Sequence, residues 1–354
     1  SNYHGGIMVC KKAAEQLGEA FVTKPIGTGP FTFVEYQPQQ YVKLAANKDY
    51  FRGAPRIDEI TYRYIPSDAT RDLALRSGEL DMVFGRQTDE WVQRTRGLKG
   101  IKVAAIEPAE LNALYLNIKA KPLDDIRVRQ AIAHALDRKT MVQLLGSEVS
   151  REAISVIPTG NLGTAKLTLA EYDVPKAKRL LADAGYPNGL TIKVIISTHP
   201  TLAKIMEGVQ GQLKQAGIAL DMQPVDHPTW HQQIRKDLSP IVMYQASRFP
   251  VADTYLSQFL HSAASVGAPT AVTNFAHCDV ADKEIEAARS EPDLAKQKAL
   301  WQTAQEKTAA AYCSIPFSES LQVWAWSENL EFGNEMQGSL NLVPHITEQT
   351  HFTK

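Results

Sequence analysis

The stretch from residue 190 to residue 244 constrains the fold most. It alternates strand, helix, strand, helix, strand. Residues 190–196 are rich in β-branched side chains, and 201–216 carry Leu202, Ile205, Val209 and Leu213 on one helical face. Gly217 stops that helix, 218–222 alternate as a strand, 229–236 form a short helix, and 240–244 are an almost unbroken apolar strand. This order predicts a parallel or largely parallel sheet with helices on its faces. Ligands of such sheets gather outside the carboxyl ends of the strands. The segment after Tyr244, residues 245–253, is therefore the first place to look for a site.

The flanks extend the α/β pattern. Asp124 or Asp125 can cap a helix whose apolar stripe is Val128, Ala131, Ile132, Ala135 and Leu136. Asp173 caps another, with Pro175 in its first turn, Ala177, Leu180, Leu181 and Ala184 facing inward, and Gly185 as its stop. Upstream, 31–36, 41–44 and 57–64 predict strands, the last with Ile60, Tyr62 and Tyr64 on one face. A helix over 69–77 and a strand over 80–84 follow. Downstream come helices over 280–289 and 293–311, strands at 315–317 and 321–326, and a tail from Leu330 that returns to the first domain.

Charge and composition narrow the function. Lys and Arg number 38 and Asp and Glu 39, a net charge of −1, so no electrostatic footprint for nucleic acid exists. Apolar residues at 44% and charged ones at 22% exclude a disordered scaffold, and no apolar run reaches the ~18 residues of a spanning helix. The N-terminus lacks the basic and apolar regions of a secretory signal. Gly27-Thr28-Gly29-Pro30 is a structural turn and not a phosphate loop, because a strand follows it and Pro30 lacks an amide. His227 and His231 stand four apart, but Pro228 and Thr229 place the helix start between them, so no metal is assigned. No nucleophile elbow appears, and Asp72, Glu79 and Asp81 look like a solvated rim. Cys10, Cys278 and Cys313 lack CxxC spacing; the odd count fits one disulfide plus a free thiol, or three reduced thiols.

Several phrases occur in a recognisable order. They are Lys24-Pro25-Ile26-Gly27-Thr28-Gly29-Pro30-Phe31, then Asn47-Lys48-Asp49-Tyr50-Phe51-Arg52-Gly53, then Leu75-Arg76-Ser77-Gly78-Glu79-Leu80-Asp81. Pro122-Leu123-Asp124-Asp125-Ile126-Arg127-Val128-Arg129-Gln130-Ala131-Ile132 and Ala177-Lys178-Arg179-Leu180-Leu181-Ala182-Asp183-Ala184-Gly185-Tyr186-Pro187 complete the set. With these the chain resembles the family 5 extracellular solute-binding proteins of ABC transporters, which include dipeptide-, oligopeptide- and nickel-binding members.

The resemblance implies an α/β, periplasmic-binding-protein-like fold of two hinged lobes that close on a solute and deliver it to a membrane permease. Family members carry a substantial portion ahead of the Gly-Thr-Gly-Pro phrase. The expected layout is accordingly a partial lobe I over 1–112, a complete lobe II over 113–321 and a C-terminal return over 322–354. The partial lobe is expected to expose apolar surface or a sheet edge.

Peptide-binding relatives place an aspartate shortly after the strand matching 240–244. Aligned on Thr254-Tyr255-Leu256, this chain has Arg248 there, a permanent cation whose planar fork suits a carboxylate. The expected ligand is thus a peptide-like or small anionic organic solute, with Arg248 as clamp and Gln245 and Phe249 adding polar and stacking contacts. Two alternatives stay open: Arg248 pairs with Asp253 in a salt bridge, or Asp253 supplies the missing carboxylate. An exported protein lives in an oxidising space, and the two helices between Cys278 and Cys313 can bring them together as a disulfide. The expected protein is a non-enzymatic, periplasmic or extracellular monomer, needing no cofactor and not inserting in the membrane. A hydrolase or transferase acting on peptides or sugars, or a sensing module without transport, are the rival classes.

Overall fold

The computed structural model describes residues 8–267, 273–334 and 344–353. Two units emerge: residues 1–107 with 322–354, and residues 108–321. The first division falls between Glu107 and Pro108, where the change of sequence pattern suggested 112/113.

In the first unit, helix α1 (Lys11–Leu17) precedes a meander of β1 (Phe31–Gln37), β2 (Tyr41–Ala46) and β3 (Glu59–Arg63). Their antiparallel registers run from Phe31↔Ala46 to Gln37↔Tyr41 and from Tyr41↔Arg63 to Ala45↔Glu59. The Gly27–Pro30 phrase is the turn into β1, held by a Val9↔Gly27 bridge and by Asn47 Nδ2 donating to the Gly29 carbonyl at 3.2 Å. Next come α2 (Asp68–Arg76), β4 (Met82–Phe84) and α3 (Asp89–Arg96), with Ser67 and Thr88 capping the two helices. Asp72 is no solvated rim. It accepts from Trp91 Nε1 at 2.8 Å and pairs with Arg94 at 2.8 Å, tying α2 to α3 around the buried Trp91 ring. The meander leaves much of its apolar surface open. Tyr62 and Tyr64 are 48% and 64% exposed, and Val22, Ile26, Phe31, Phe33, Tyr36 and Leu44 line a groove of about 540 Å³.

The chain enters the second unit inside strand β5 (Ile101–Leu116). There follow α4 (Ile126–His134), α5 (Arg138–Leu145), β6 (Ser150–Glu152) and α6 (Val174–Asp183). Asp125, Asp137 and Asp173 each accept a first-turn N–H as caps, at 2.8–3.1 Å. Then β7 (Leu190–Ser197), α7 (Pro200–Gln215), β8 (Ile218–Val225), α8 (His227–Arg235), β9 (Ile241–Ala246), α9 (Ala252–Phe259), α10 (Asp282–Ser290) and α11 (Leu294–Ala310) lead into β10 (Ser314–Ser327).

Only part of the expected parallel sheet forms. β7 and β8 pair in parallel over their full length, from Leu190↔Ile218 to Ser197↔Val225. β9 instead runs antiparallel to β5, from Leu111↔Ala246 to Leu116↔Ile241. Beside β7, the Ser239 hydroxyl accepts the Ile195 N–H at 3.0 Å. Helix α8 begins at His227, earlier than expected, because Asp226 caps it through the Thr229 N–H and Pro228 fits its first turn. The segments 315–317 and 321–326 form one strand, whose middle residues Ser318–Ser320 pair with β6.

The second unit's core fuses the stripes of α4 and α7 with the inner residues of β5, β7 and β9. Arg129 of α4 lies within it, 6% exposed. Its Nε donates to the Ala311 carbonyl at 3.0 Å, and Nη1 donates to the carbonyls of Leu123 (2.6 Å) and Asp124 (3.2 Å). Ala311 closes α11, so the cation sits at the negative end of a long helix. Cys278 and Cys313, both fully buried, form a disulfide with Cα atoms 5.7 Å apart, and Cys10 is free. The chain leaves this unit inside β10, whose last residues pair with β4, and ends in the first unit with β11 (Leu330–Glu331) paired to β12 (His351–Phe352).

Candidate functional site

The carboxyl end of β9 opens into residues 247–251, which connect to α9. The start of this loop is fixed from below. The Tyr255 hydroxyl, buried on α9, accepts from the Arg248 backbone N–H at 2.9 Å and donates to the Ala246 carbonyl at 3.3 Å. Its far end is fixed from the side: Leu162 bridges Val251 in parallel, with Leu162 N–H to the Pro250 carbonyl and Ala252 N–H to the Leu162 carbonyl, 2.9 and 2.8 Å. Gly163 follows Leu162 with φ +89°, and a Cβ there would stand 2.5 Å from the Trp301 ring, so glycine lets this strap lie flat.

Arg248 is half-buried and aimed by three contacts. Its Nε donates to Gln258 Oε1 at 2.6 Å, its Nη1 donates to the Ser247 carbonyl at 2.8 Å, and its guanidinium carbon lies 5.0 Å from the centroid of the Phe259 ring. Two of the five guanidinium N–H groups are so used, and three have no acceptor among the described residues. The expected alternative pairing does not occur. Asp253 faces away to α10, where Arg289 Nε lies 3.5 Å from its Oδ1. Gln245 is the cross-strand neighbour of Asn112, and its Nε2 is buried with no partner among the described residues. Phe249 is partly buried in the same loop. Gln245, Arg248 and Phe249 thus share one strand end, whereas Asp253 does not join them.

Groups without any motif signal complete the picture. The Ser247 hydroxyl and both polar atoms of the Asn161 amide are buried without partners among the described residues, Asn161 lying next to Leu162 of the strap. Fully buried Glu319 accepts from Arg151 Nε at 2.7 Å and from the Thr159 N–H and hydroxyl at 2.8 and 2.9 Å. Burial, reinforced by the charges of Glu110 and Glu319, keeps the Tyr255 phenol protonated far above its ordinary range, with Arg248 opposing. Only the register of β5 against β9 could have disclosed Glu110, and register is not a local property.

The His227–His231 pair is elsewhere, at the start of α8. The rings are 4.5 Å apart, and His227 Nδ1 contacts the Ser197 hydroxyl at 2.9 Å. Among the described residues no group of three or more His, Cys, Asp or Glu side chains is placed to hold a metal. No helix among them is long and apolar enough to cross a membrane.

The chain matches one family of binding proteins. The model for bacterial extracellular solute-binding proteins, family 5, matches residues 3–267, and the chain belongs to that family. The chain is 47% identical to a solved structure, the binding protein MoaA of A. tumefaciens R10 in complex with mannopinic acid. The match covers 99% of this chain and 71% of that one, with a TM-score of 0.81. DppA of Helicobacter pylori, in complex with a peptide, shares the fold at 23% identity and a TM-score of 0.77, over 98% and 68% of the two chains. Among curated proteins, a putative ABC transporter peptide-binding protein of Brucella ovis is 32% identical over 60% of this chain and 41% of its own length. The glutathione-binding protein GsiB of Pectobacterium atrosepticum is 30% identical over 62% and 43%. The chain spans about two fifths of the length of these curated relatives.

Proposed function

We propose that this chain acts as the extracellular or periplasmic binding component of an ABC importer, capturing a small organic anion and passing it to a permease. One observation carries the choice of anion: Arg248 is oriented by Gln258, Ser247 and Phe259, yet among the described residues it has three free donors and no carboxylate within ion-pair distance. A half-buried guanidinium held in this way offers a bidentate seat for a carboxylate. Membership in family 5 supports the transport role, and the 47% identity to a protein holding mannopinic acid, itself an anion, supports the ligand class. Asp253 is engaged with Arg289 and does not join Arg248 at this strand end. The role is capture and release, with no bond made or broken.

Calorimetric titration of the chain with mannopinic acid tests this. Arg248→Glu is expected to abolish binding, since it puts a like charge where the anion sits. Unchanged affinity in that variant, with a native circular dichroism spectrum, refutes the clamp.

A further inference from the structure

Glu110 stands out as a carboxylate without a purpose in the fold. It is partly buried on β5 and has no hydrogen bond or ion pair among the described residues. The β5–β9 ladder ends at Leu111↔Ala246, so Glu110 is the residue just beyond it on one strand, as Ser247 is on the other, with Arg248 following. Burial raises its pKa, and the cation that opposes this is Arg248. The two side chains therefore feel one another, yet no oxygen of Glu110 lies within 4.0 Å of an Arg248 nitrogen as an ion pair. A carboxylate that served only to neutralise Arg248 would gain most by closing that gap. Each instead keeps free hydrogen-bonding capacity, acceptors on Glu110 and donors on Arg248.

The neutral groups of this strand end and strap are also unsatisfied. Gln245 Nε2, the Ser247 hydroxyl and the Asn161 amide are buried and have no partner among the described residues. A buried polar atom left so carries a desolvation cost that a bound polar ligand recovers. Hydroxyls both donate and accept, and so suit a mixture of amide and hydroxyl partners better than an apolar ligand does.

We propose that Glu110 and Arg248 form a two-pole site for a polyhydroxylated zwitterion, with the ligand's carboxylate on Arg248 and its protonated amine on Glu110. This rests on the anion-binding reading above and adds a second, opposite requirement to it. The ligand class is an amino acid joined through its nitrogen to a polyol.

Two probes separate the poles: mannopinic acid, whose secondary amine is protonated at pH 7, and its N-acetyl derivative, whose nitrogen is neutral. Each is titrated calorimetrically into the wild-type chain, Glu110→Gln, Glu110→Asp and Arg248→Gln. Wild type should prefer mannopinic acid by about 10- to 100-fold, the worth of one charge-assisted hydrogen bond. Glu110→Gln should erase this preference by weakening mannopinic acid alone, Glu110→Asp should retain part of it, and Arg248→Gln should weaken both probes. Glu110→Gln that weakens both probes equally, or neither, overturns the proposal, because Glu110 then acts on Arg248 or on nothing. If that variant fails to fold, equal wild-type affinities for the two probes overturn it. A wild-type chain that takes up neither probe overturns the anion-binding reading itself, and Glu110 falls with it.

Discussion

Breaking the Cys278–Cys313 bond should remove about 4 kcal/mol of stability from the second unit. The two residues are 35 apart in sequence. In the chain-entropy model a loop of that length costs the unfolded state about 13 cal/mol/K, or about 4 kcal/mol at 25 °C. Against a typical total of about 5–15 kcal/mol this is a large share. Both sulfurs are fully buried behind α10 and α11, and Lys307 of α11 pairs with Glu284 of α10 at 2.6 Å. Reduction of the folded protein should therefore be slow and should need partial unfolding. The assay is urea denaturation of the oxidised chain, of the same chain with a phosphine reductant, and of a Cys278→Ala/Cys313→Ala variant, followed by tryptophan fluorescence. Buried Trp230 and Trp301 report on the second unit. Iodoacetamide labelling in denaturant, read by mass spectrometry, should add one label without reductant, at Cys10, and three with it. The two bridge-free samples should shift alike. Three labels without reductant, or coincident midpoints for oxidised and reduced chains, would refute the reasoning.

Two more outcomes are accessible. Burial first, then the neighbouring charges of His227 and Arg235, lower the His231 pKa from 6.5, so the unfolded chain takes up that proton before the folded one does. The resulting stability is full above pH 6.5 and declines as the pH falls toward the folded-state pKa. His231→Gln should flatten that decline, and an NMR titration placing the His231 midpoint at or above 6.5 contradicts it. Gly185 and Gly189 both have positive φ, +95° and +84°, but a Cβ on Gly185 meets nothing whereas one on Gly189 lies 2.3 Å from the Gly217 carbonyl oxygen. Gly185→Ala should cost about 1 kcal/mol, and Gly189→Ala clearly more, by thermal denaturation of each variant. Equal losses would remove the packing argument.

What could be read ahead of the structure was local. Asp125, Asp173 and Gly185 end their helices through bonds and angles within three residues, so their types alone placed them. The parallel β7–β8 pair was legible because α7 between them is long enough only for a crossover. The partner of β9 was not, since β5 lies more than 120 residues upstream and nothing local announces antiparallel pairing there. His227 falls inside α8 and not before it, because the Asp226 carboxylate caps the helix and Pro228 fits its first turn. At the site, Arg248 was visible as a departure from a family pattern. The fate of Asp253 hung on Arg289, 36 positions on, and Glu110 belongs to no motif at all.

The buried Arg129 bears on how far a family signature travels. Its phrase, Arg127 to Ile132, is part of what makes the chain resemble its family, and each Arg129 bond described above ends on a main-chain carbonyl. A guanidinium so employed inspects peptide groups, which every chain has, and is blind to the cargo. Two proteins can keep this brace unaltered while one carries a peptide and the other a sugar acid. Kinship certified by that phrase vouches for the chassis alone, and cargo has to be assigned from the end of β9, protein by protein.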